Sequence, residues 1–196
     1  MAIAEPTCRE IELAVCRALR GWQGDTLRPT EFTEETIREW LKRWMLSRAT
    51  PNRARQALLI FLNGTAMPLL SQKFASQSDA ASQLEELTVK AKERIGLRPT
   101  SLMSKLGAGL NPHQFVPYDK RVRSALRTAP HDYKSYVDAF RRGEQRFTSA
   151  AKQCGLIDPL TIQDRDPVLL ISRATDKYLM AVGGFNFSKE DAAAPC

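Results

Sequence analysis

Apolar residues recur every three or four positions along most of this 196-residue chain. That spacing is typical of amphipathic helices, whose buried face repeats every 3.6 residues, whereas a half-buried strand alternates at every second residue. The pattern is clearest after Thr33, where the apolar side chains at helical spacing are Ile37, Trp40, Leu41, Trp44 and Met45. Such a stripe is far more often core than a base-stacking platform. We therefore expect an all-α fold of roughly eight helices.

Residues suited to helix ends divide this pattern into separate helices. They are Thr33 and Asp119 as N-caps, Gly96 as a stop, and Thr100 or Ser101 as the cap of the helix that follows Gly96. Two further helices are expected to start near Asp132 and at Asp166–Pro167. One helix is expected over residues 6–20, closed by Gly21, and another from Pro51 to Asn63–Gly64. The polar, small-residue segment 64–82 is compatible with a loop, a short helix or both.

Composition is that of an ordinary soluble globule, with 43% hydrophobic and 26% charged residues. No run approaches the roughly 18 apolar residues needed to span a bilayer, and the N-terminus lacks a basic region followed by an apolar one. We expect a single compact domain over residues 1–196, with flexible tails at 1–5 and 185–196. A monomer, a cytoplasmic location and no membrane partner are the corresponding expectations.

The cysteines are widely scattered, at Cys8, Cys16, Cys154 and Cys196. There is no Cys-x-x-Cys, and neither His113 nor His131 lies near a cysteine pair, which argues against zinc ribbons, iron–sulfur sites and disulfide frameworks. We expect reduced, mostly packed thiols at positions 8, 16 and 154. The sequence predicts no metal and no cofactor.

The chain is basic, with 29 Lys and Arg against 22 Asp and Glu and a formal net charge of +7. A sequence pI near 9.4 favours a polyanionic partner, of which nucleic acid is the leading class.

Two residues between Pro99 and Arg123 combine into a chemically suggestive pair. Lys105 lies in an apolar helix turn, where partial desolvation would lower the pKa of its ammonium group and yield a nucleophilic amine. Asp119 opens a basic helix, and a carboxylate held at a helix N-terminus stays ionised and can stabilise a positively charged, sugar-like transition state. The alternatives are that Lys105 extends its ammonium group to solvent and that Asp119 is only an N-cap.

This arrangement resembles the helix-hairpin-helix DNA glycosylase superfamily, most closely the short bacterial proteins similar to 8-oxoguanine DNA glycosylase. Ser104-Lys105 matches the nucleophile position of that family, and residues 116–122 (Val-Pro-Tyr-Asp-Lys-Arg-Val) match its aspartate segment. Residues 173–183 are similar to its closing helix, and residues 69–72 (Leu-Leu-Ser-Gln) to a Leu-Leu-Ser-x-Gln motif of some members. The resemblance implies a helix-hairpin-helix glycosylase-like fold.

The resemblance also implies a DNA glycosylase with Schiff-base lyase activity, in base-excision repair or in defence against modified phage DNA. Its partner would be double-stranded DNA with an everted base. Lys105 would attack the sugar and Asp119 would support departure of the base. The implied DNA contacts are Gln72, Arg98, Ser104, Lys120, Arg121 and Arg123, and the implied base-pocket residues are Tyr118, Asp176 and Tyr178.

The family's Leu-Pro-Gly-x-Gly hairpin is absent, and residues 96–103 (Gly-Leu-Arg-Pro-Thr-Ser-Leu-Met) stand in its place. A second interpretation is therefore a catalytically silent DNA- or protein-binding module on the same fold. A third is a protein-interaction component of a bacterial defence or repair operon. An alternative interpretation without a functional role is that Asp176 and Lys177 are ordinary surface ions.

Overall fold

The structure is a computed structural model that describes residues 5–25, 31–44, 46, 54–96, 99–156 and 166–187, with the backbone alone for residues 21–25 and 43. Every regular element within those ranges is a helix, which confirms the all-α class. The chain divides into two compact units, where the sequence analysis expects one domain. Unit 1 comprises Met1–Gln23 and Asp119–Cys196, and unit 2 comprises Gly24–Tyr118.

The helices follow one another along the chain and are joined by loops. In the described ranges they are α1 (Cys8–Asp25), α2 (Glu34–Arg43), α3 (Arg55–Phe61), α4 (Met67–Leu70), α5 (Gln77–Ile95), α6 (Thr100–Leu110), α7 (Lys120–Leu126), α8 (Tyr133–Gln153) and α9 (Pro167–Val182). A π-helical turn, Leu62–Ala66, joins α3 to α4 without a break, so the two form one continuous helix.

The predicted helix starts are confirmed where a side chain accepts a hydrogen bond from a backbone N–H of the first turn. The hydroxyl of Thr33 and the carboxylates of Asp119, Asp132 and Asp166 each accept a hydrogen bond from a backbone N–H in the first turn of α2, α7, α8 and α9, at 2.7–3.2 Å. Gly96 ends α5 in the left-handed conformation, with φ of 70°.

Two predicted helix ends are wrong. Helix α1 runs through Gly21 to Asp25, and the helix expected to end at Asn63-Gly64 continues through the π-helical turn. Pro68 accounts for the turn, because a proline cannot donate a hydrogen bond to the carbonyl of Gly64 four residues earlier. The Asn63 side chain also binds both backbone groups of Phe32, at 2.9 and 2.7 Å, and so holds this turn to the segment before α2.

Unit 2 is built around α6, which α4 and α5 contact. All residues from Leu102 to Ala108 are buried, so this helix is enclosed on every side. The aromatic stripe of α2 is core, as expected: the ring of Trp40 lies 5.7 Å from that of Phe32 and 6.0 Å from that of Trp44.

Unit 1 has the corresponding arrangement around α9, which α7 and α8 contact. Five consecutive residues of α9 are buried: Ser172, Arg173, Ala174, Thr175 and Asp176. The C-terminal end of α9 meets α7 at Gly183, where an added Cβ would overlap the backbone carbonyl of Arg121. This close approach permits no side chain at position 183.

Cysteine chemistry departs from the expectation of reduced thiols, which is wrong. Cys8 at the start of α1 and Cys154 at the end of α8 form a disulfide, with their Cα atoms 5.5 Å apart. Cys16 is disulfide-bonded as well. The Cys8–Cys154 disulfide joins two sequence segments of unit 1 that lie 146 residues apart. Stable disulfides are rare in the cytosol, so the cysteines give no support to the expected cytoplasmic location.

Replacing Cys8 and Cys154 together by serine should lower the free energy of unfolding by about 2–5 kcal/mol, because the cross-link restricts the unfolded chain. Urea unfolding of the oxidised wild type and the double variant measures the difference. Non-reducing peptide mapping of the wild type should recover the two cysteines in one linked fragment. Equal stability of the two proteins would contradict a structural role for the disulfide.

Gly183→Ala should destabilise unit 1 by about 3 kcal/mol, since the added methyl group forces α9 away from the Arg121 carbonyl. Gly143→Ala in α8 is the matched control, because its added Cβ makes only ordinary contacts at 3.7 and 3.8 Å. This control should stabilise the protein by up to about 1 kcal/mol through helix propensity. Thermal unfolding of both variants tests the opposite signs.

Candidate active site

Lys105 lies inside unit 2, in the middle of the enclosed helix α6. The residue is only 8% exposed, so most of its side chain is buried. Its Nζ donates a hydrogen bond to the Trp44 carbonyl at 3.2 Å and lies 5.6 Å from the centre of the Trp44 ring. The carbonyl oxygen and the negative face of the indole both suit a cationic or hydrogen-bonding amine.

The turn that contains Lys105 also holds the chain segment leading to Asp119. Ser101 Oγ donates to the Tyr118 carbonyl at 2.9 Å, and the Tyr118 N–H donates to Ser104 Oγ at 2.8 Å. Both backbone groups of buried Tyr118 are thereby satisfied without a neighbouring strand. Ser104 is fully buried and already bonded, so its place in the structure is that of a brace for Tyr118 rather than of an exposed phosphate contact.

Gln72, the predicted gap-filling residue, lies in an exposed loop of unit 2 after α4. The loop is braced from the far end of α6: Asn111 Nδ2 donates to the Gln72 carbonyl at 3.0 Å. Gln114 binds the backbone N–H and carbonyl of Phe74, at 3.0 and 2.8 Å. The backbone is therefore fixed on both sides of Lys73 while the Gln72 residue is exposed to solvent.

Asp119 lies in unit 1, where its Oδ1 accepts the Arg121 N–H at 2.7 Å and caps α7. The charges of Asp176 on α9 and of Asp119 both raise the pKa of the buried phenol of Tyr136 on α8. Two of the predicted site residues, Asp119 and Asp176, therefore act electrostatically on one tyrosine. Asp176 is 5% exposed and lies 3.9 Å from the Lys177 ammonium, so its interpretation as an ordinary surface ion is wrong.

Tyr136 stays protonated because of where it lies. Burial raises the pKa of Tyr136 well above the ordinary tyrosine value of 10.0, and the charge of Asp176, neighbouring Tyr133 and the charge of Asp119 raise it further. A hydrogen bond with the Asp119 backbone acts in the opposite direction. Its ring stacks on that of Tyr133, with centroids 6.1 Å apart. Tyr136 is thus a neutral hydrogen-bonding group beside two carboxylates.

Tyr178, by contrast, lies on another side of α9 from Asp176. Residues two apart on a helix point in nearly opposite directions. The Tyr178 ring lies 5.8 Å from that of Phe147, and burial, with the charge of Glu10, raises the pKa of its phenol. The structure does not bring Asp176 and Tyr178 to one surface.

Two of the predicted phosphate-contacting residues of α7 donate hydrogen bonds to backbone carbonyls of the protein itself. Lys120 and Arg121 are exposed, although Arg121 Nη1 donates to the Gly184 carbonyl at 3.3 Å. Arg123 is half-buried and its Nη1 donates to the Thr128 carbonyl at 3.1 Å. Arg98 lies outside the described residues.

Sequence reasoning placed Tyr136 in a helical stripe without assigning it a role. The signal was present, since a phenol at a core position needs a hydrogen-bond partner that phenylalanine does not. The bracing amides Asn111 and Gln114 were also missed, because their partners lie about 40 residues away.

Among the residues that the structure describes, no cluster of three or more His, Cys, Asp or Glu side chains is placed to hold a metal ion. None of the helices in those same ranges has the length and hydropathy to cross a membrane.

Tyr136→Phe should change how stability depends on pH. In the wild type the unfolded phenol ionises near pH 10 while the folded one stays protonated, so stability is present below pH 10 and falls above it. The variant should lose about 1 kcal/mol at neutral pH, from the missing hydrogen bond. Above pH 10 its stability should fall less steeply, by up to about 1.4 kcal/mol per pH unit. Urea unfolding between pH 7 and 11 measures both; parallel curves would contradict the assignment.

No family model, no curated protein and no solved structure matches this chain.

Proposed function

We propose that this protein is a DNA glycosylase with lyase activity that removes a damaged or modified base through an imine formed on Lys105. The observation that carries the proposal is the enclosure of a lysine in the middle of an apolar helix. Leaving an amine away from water is unfavourable for packing alone, because a hydrocarbon side chain would fill the position without that cost. A nucleophilic role would explain why a lysine occupies this position.

The proposed reaction balances without a cofactor. The amine of Lys105 attacks the sugar C1′, the glycosidic bond breaks, and the base departs with the bonding electron pair and takes up the first amine proton. The sugar ring then opens, the second amine proton passes to the ring oxygen, and the imine is formed. Loss of a C2′ proton then expels the 3′ phosphate by β-elimination, and water releases Lys105 from the imine. The family resemblance assigns Asp119 to supporting departure of the base.

The braced loop before α5 supports a role in base eversion. A residue that fills the space left by an extruded base must resist the stacking free energy of a few kcal/mol that favours return of that base. The hydrogen bonds from Asn111 and Gln114 hold the loop backbone, and Gln72 remains exposed. We assign Gln72 to filling the gap in double-stranded DNA.

We assign the basic residues of α7 to contacts with the DNA backbone. We also reduce the set of residues assigned to the base pocket. Exposed Lys120 and Arg121 suit phosphate contacts, which position a duplex without reading its sequence. Asp176 is preferred to Tyr178 as a base-pocket residue, because it shares Tyr136 with Asp119. Tyr118 keeps its assignment next to Lys105 through the bonds that Ser101 and Ser104 make to it.

Borohydride trapping on an oligonucleotide duplex with one abasic site tests the proposal without requiring the natural base. Wild-type protein should form a covalent adduct, because the abasic sugar presents an aldehyde to the amine and borohydride reduces the resulting imine. Lys105→Ala and Lys105→Met should form none. The methionine variant retains an unbranched, largely apolar side chain, so it keeps the test valid if the alanine variant fails to fold.

Lys92→Met is the matched control, since Lys92 is an exposed lysine of the same unit. It should trap as efficiently as the wild type. Helical content by circular dichroism confirms that each variant is folded. Equal trapping by Lys105→Met and the wild type would contradict the proposal.

A silent DNA-binding module is the second candidate, favoured by the hydrogen bond from Lys105 to the Trp44 carbonyl. That bond gives the lysine a structural role, linking α6 to the residue after α2. Salt-dependent binding of a duplex by the wild type, without an adduct and without release of any base, would establish this candidate instead.

A further inference from the structure

The net positive charge of the protein is concentrated in α7, α8 and the turn between them. Residues 119–153 contain nine Lys and Arg side chains and only four Asp and Glu side chains. The whole chain has a formal charge of +7. A local excess of this size on a helical surface attracts polyanions and increases their association rate.

Some of these basic side chains line an open groove on unit 1. It has a volume of about 550 Å³ and is lined by Glu5 and by the α8 residues Arg142, Gln145, Arg146 and Ser149. The α8 residues are spaced at i, i+3, i+4 and i+7, so they lie on one face of the helix, over about 10 Å of its length. All five residues are exposed.

The two arginines of the groove differ from their neighbour Arg141 in their internal contacts. Arg141 forms an ion pair with Glu144 at 2.7 Å. Within the described part of the chain, neither Arg142 nor Arg146 forms an ion pair or an internal hydrogen bond. Two exposed guanidinium groups one helical turn apart offer forked donors suited to phosphate oxygens. Gln145 adds a neutral amide donor between them.

We propose that this α8 groove is a second contact surface for the phosphate backbone of duplex DNA, apart from the residues assigned to base removal. The choice of DNA over other polyanions rests on the proposed function. Arg142 and Arg146 bind phosphate oxygens, and the carboxylate of Glu5, which also lines the groove, weakens the contact by repelling the phosphates. The surface is sequence-independent, because every contact is to the backbone.

Binding of an undamaged, fluorescein-labelled duplex, measured by anisotropy over a range of salt concentrations, tests the groove. The double variant Arg142→Gln/Arg146→Gln should bind about tenfold more weakly at physiological salt. It should also lower the slope of log affinity against log salt by about 2, one for each lost phosphate contact. Glu5→Gln should bind more tightly than the wild type, which loss of folding could not produce.

Lys90→Gln/Lys92→Gln on α5 is the matched control, since both residues are exposed and the net charge falls by the same two units. It should leave the affinity and the salt slope close to wild type. Equal weakening by the two double variants would overturn the proposal, as would unchanged or weaker binding by Glu5→Gln. Polyglutamate of matched charge should compete poorly with the duplex, and equally good competition would overturn the assignment of the groove to phosphates.

Failure of this proposal can be told apart from failure of the proposed function. At saturating abasic duplex, the α8 double variant should still form the borohydride adduct, because Lys105 is unchanged. If the wild type forms no adduct but the α8 variant loses affinity as expected, the groove stands and the glycosylase activity does not. If adducts form but the α8 variant binds like the wild type, the activity stands and the groove does not.

Discussion

Two hydrogen bonds from α6 determine where the chain leaves unit 2. Ser101 donates to the carbonyl of Tyr118, and Ser104 accepts from its N–H, so both backbone groups of a buried, extended residue are satisfied by side chains. Asp119 follows directly and begins α7 as its N-cap. Lys105 follows Ser104 in α6. One helical turn therefore fixes the exit of the chain and carries the proposed nucleophile.

Each unit encloses an ionisable residue in its most buried helix, Lys105 in α6 and Asp176 in α9. Removing such groups from water is unfavourable unless partners compensate for the lost solvation. Lys105 has the Trp44 carbonyl and ring, and Asp176 has Lys177 at 3.9 Å. These contacts compensate for lost solvation at each residue. The proposed mechanism assigns a chemical role to both residues.

Several local signals were read correctly from the sequence, and long-range pairings were not. The caps at Thr33 and Asp119, the helix starts near Asp132 and Asp166 and the stop at Gly96 depend on groups within three residues or on one backbone conformation. The expected stop at Gly21 fails, because α1 continues to Asp25. The π-helical turn depends in addition on a contact across 31 residues, between Asn63 and Phe32.

The candidate site was predictable only in part, for the same reason. The spacing of apolar residues placed Lys105 in a helix, but its burial follows from α4 and α5 packing around that helix. The Cys8–Cys154 bond spans 146 residues, a separation at which cysteine positions alone carry no pairing information. Asp176 and Tyr178 were both assigned to one pocket, although helical geometry turns them to different sides.

The same disulfide has a topological consequence, because unit 2 is inserted between the two segments of unit 1. Unit 2 is continuous in sequence and can fold during synthesis, while unit 1 has to wait for residues beyond 118. Once Cys8 and Cys154 are joined, all of unit 2 lies within a covalently closed loop. A single proteolytic cut between residues 24 and 118 would then leave two polypeptides that stay attached to each other for as long as this disulfide is intact.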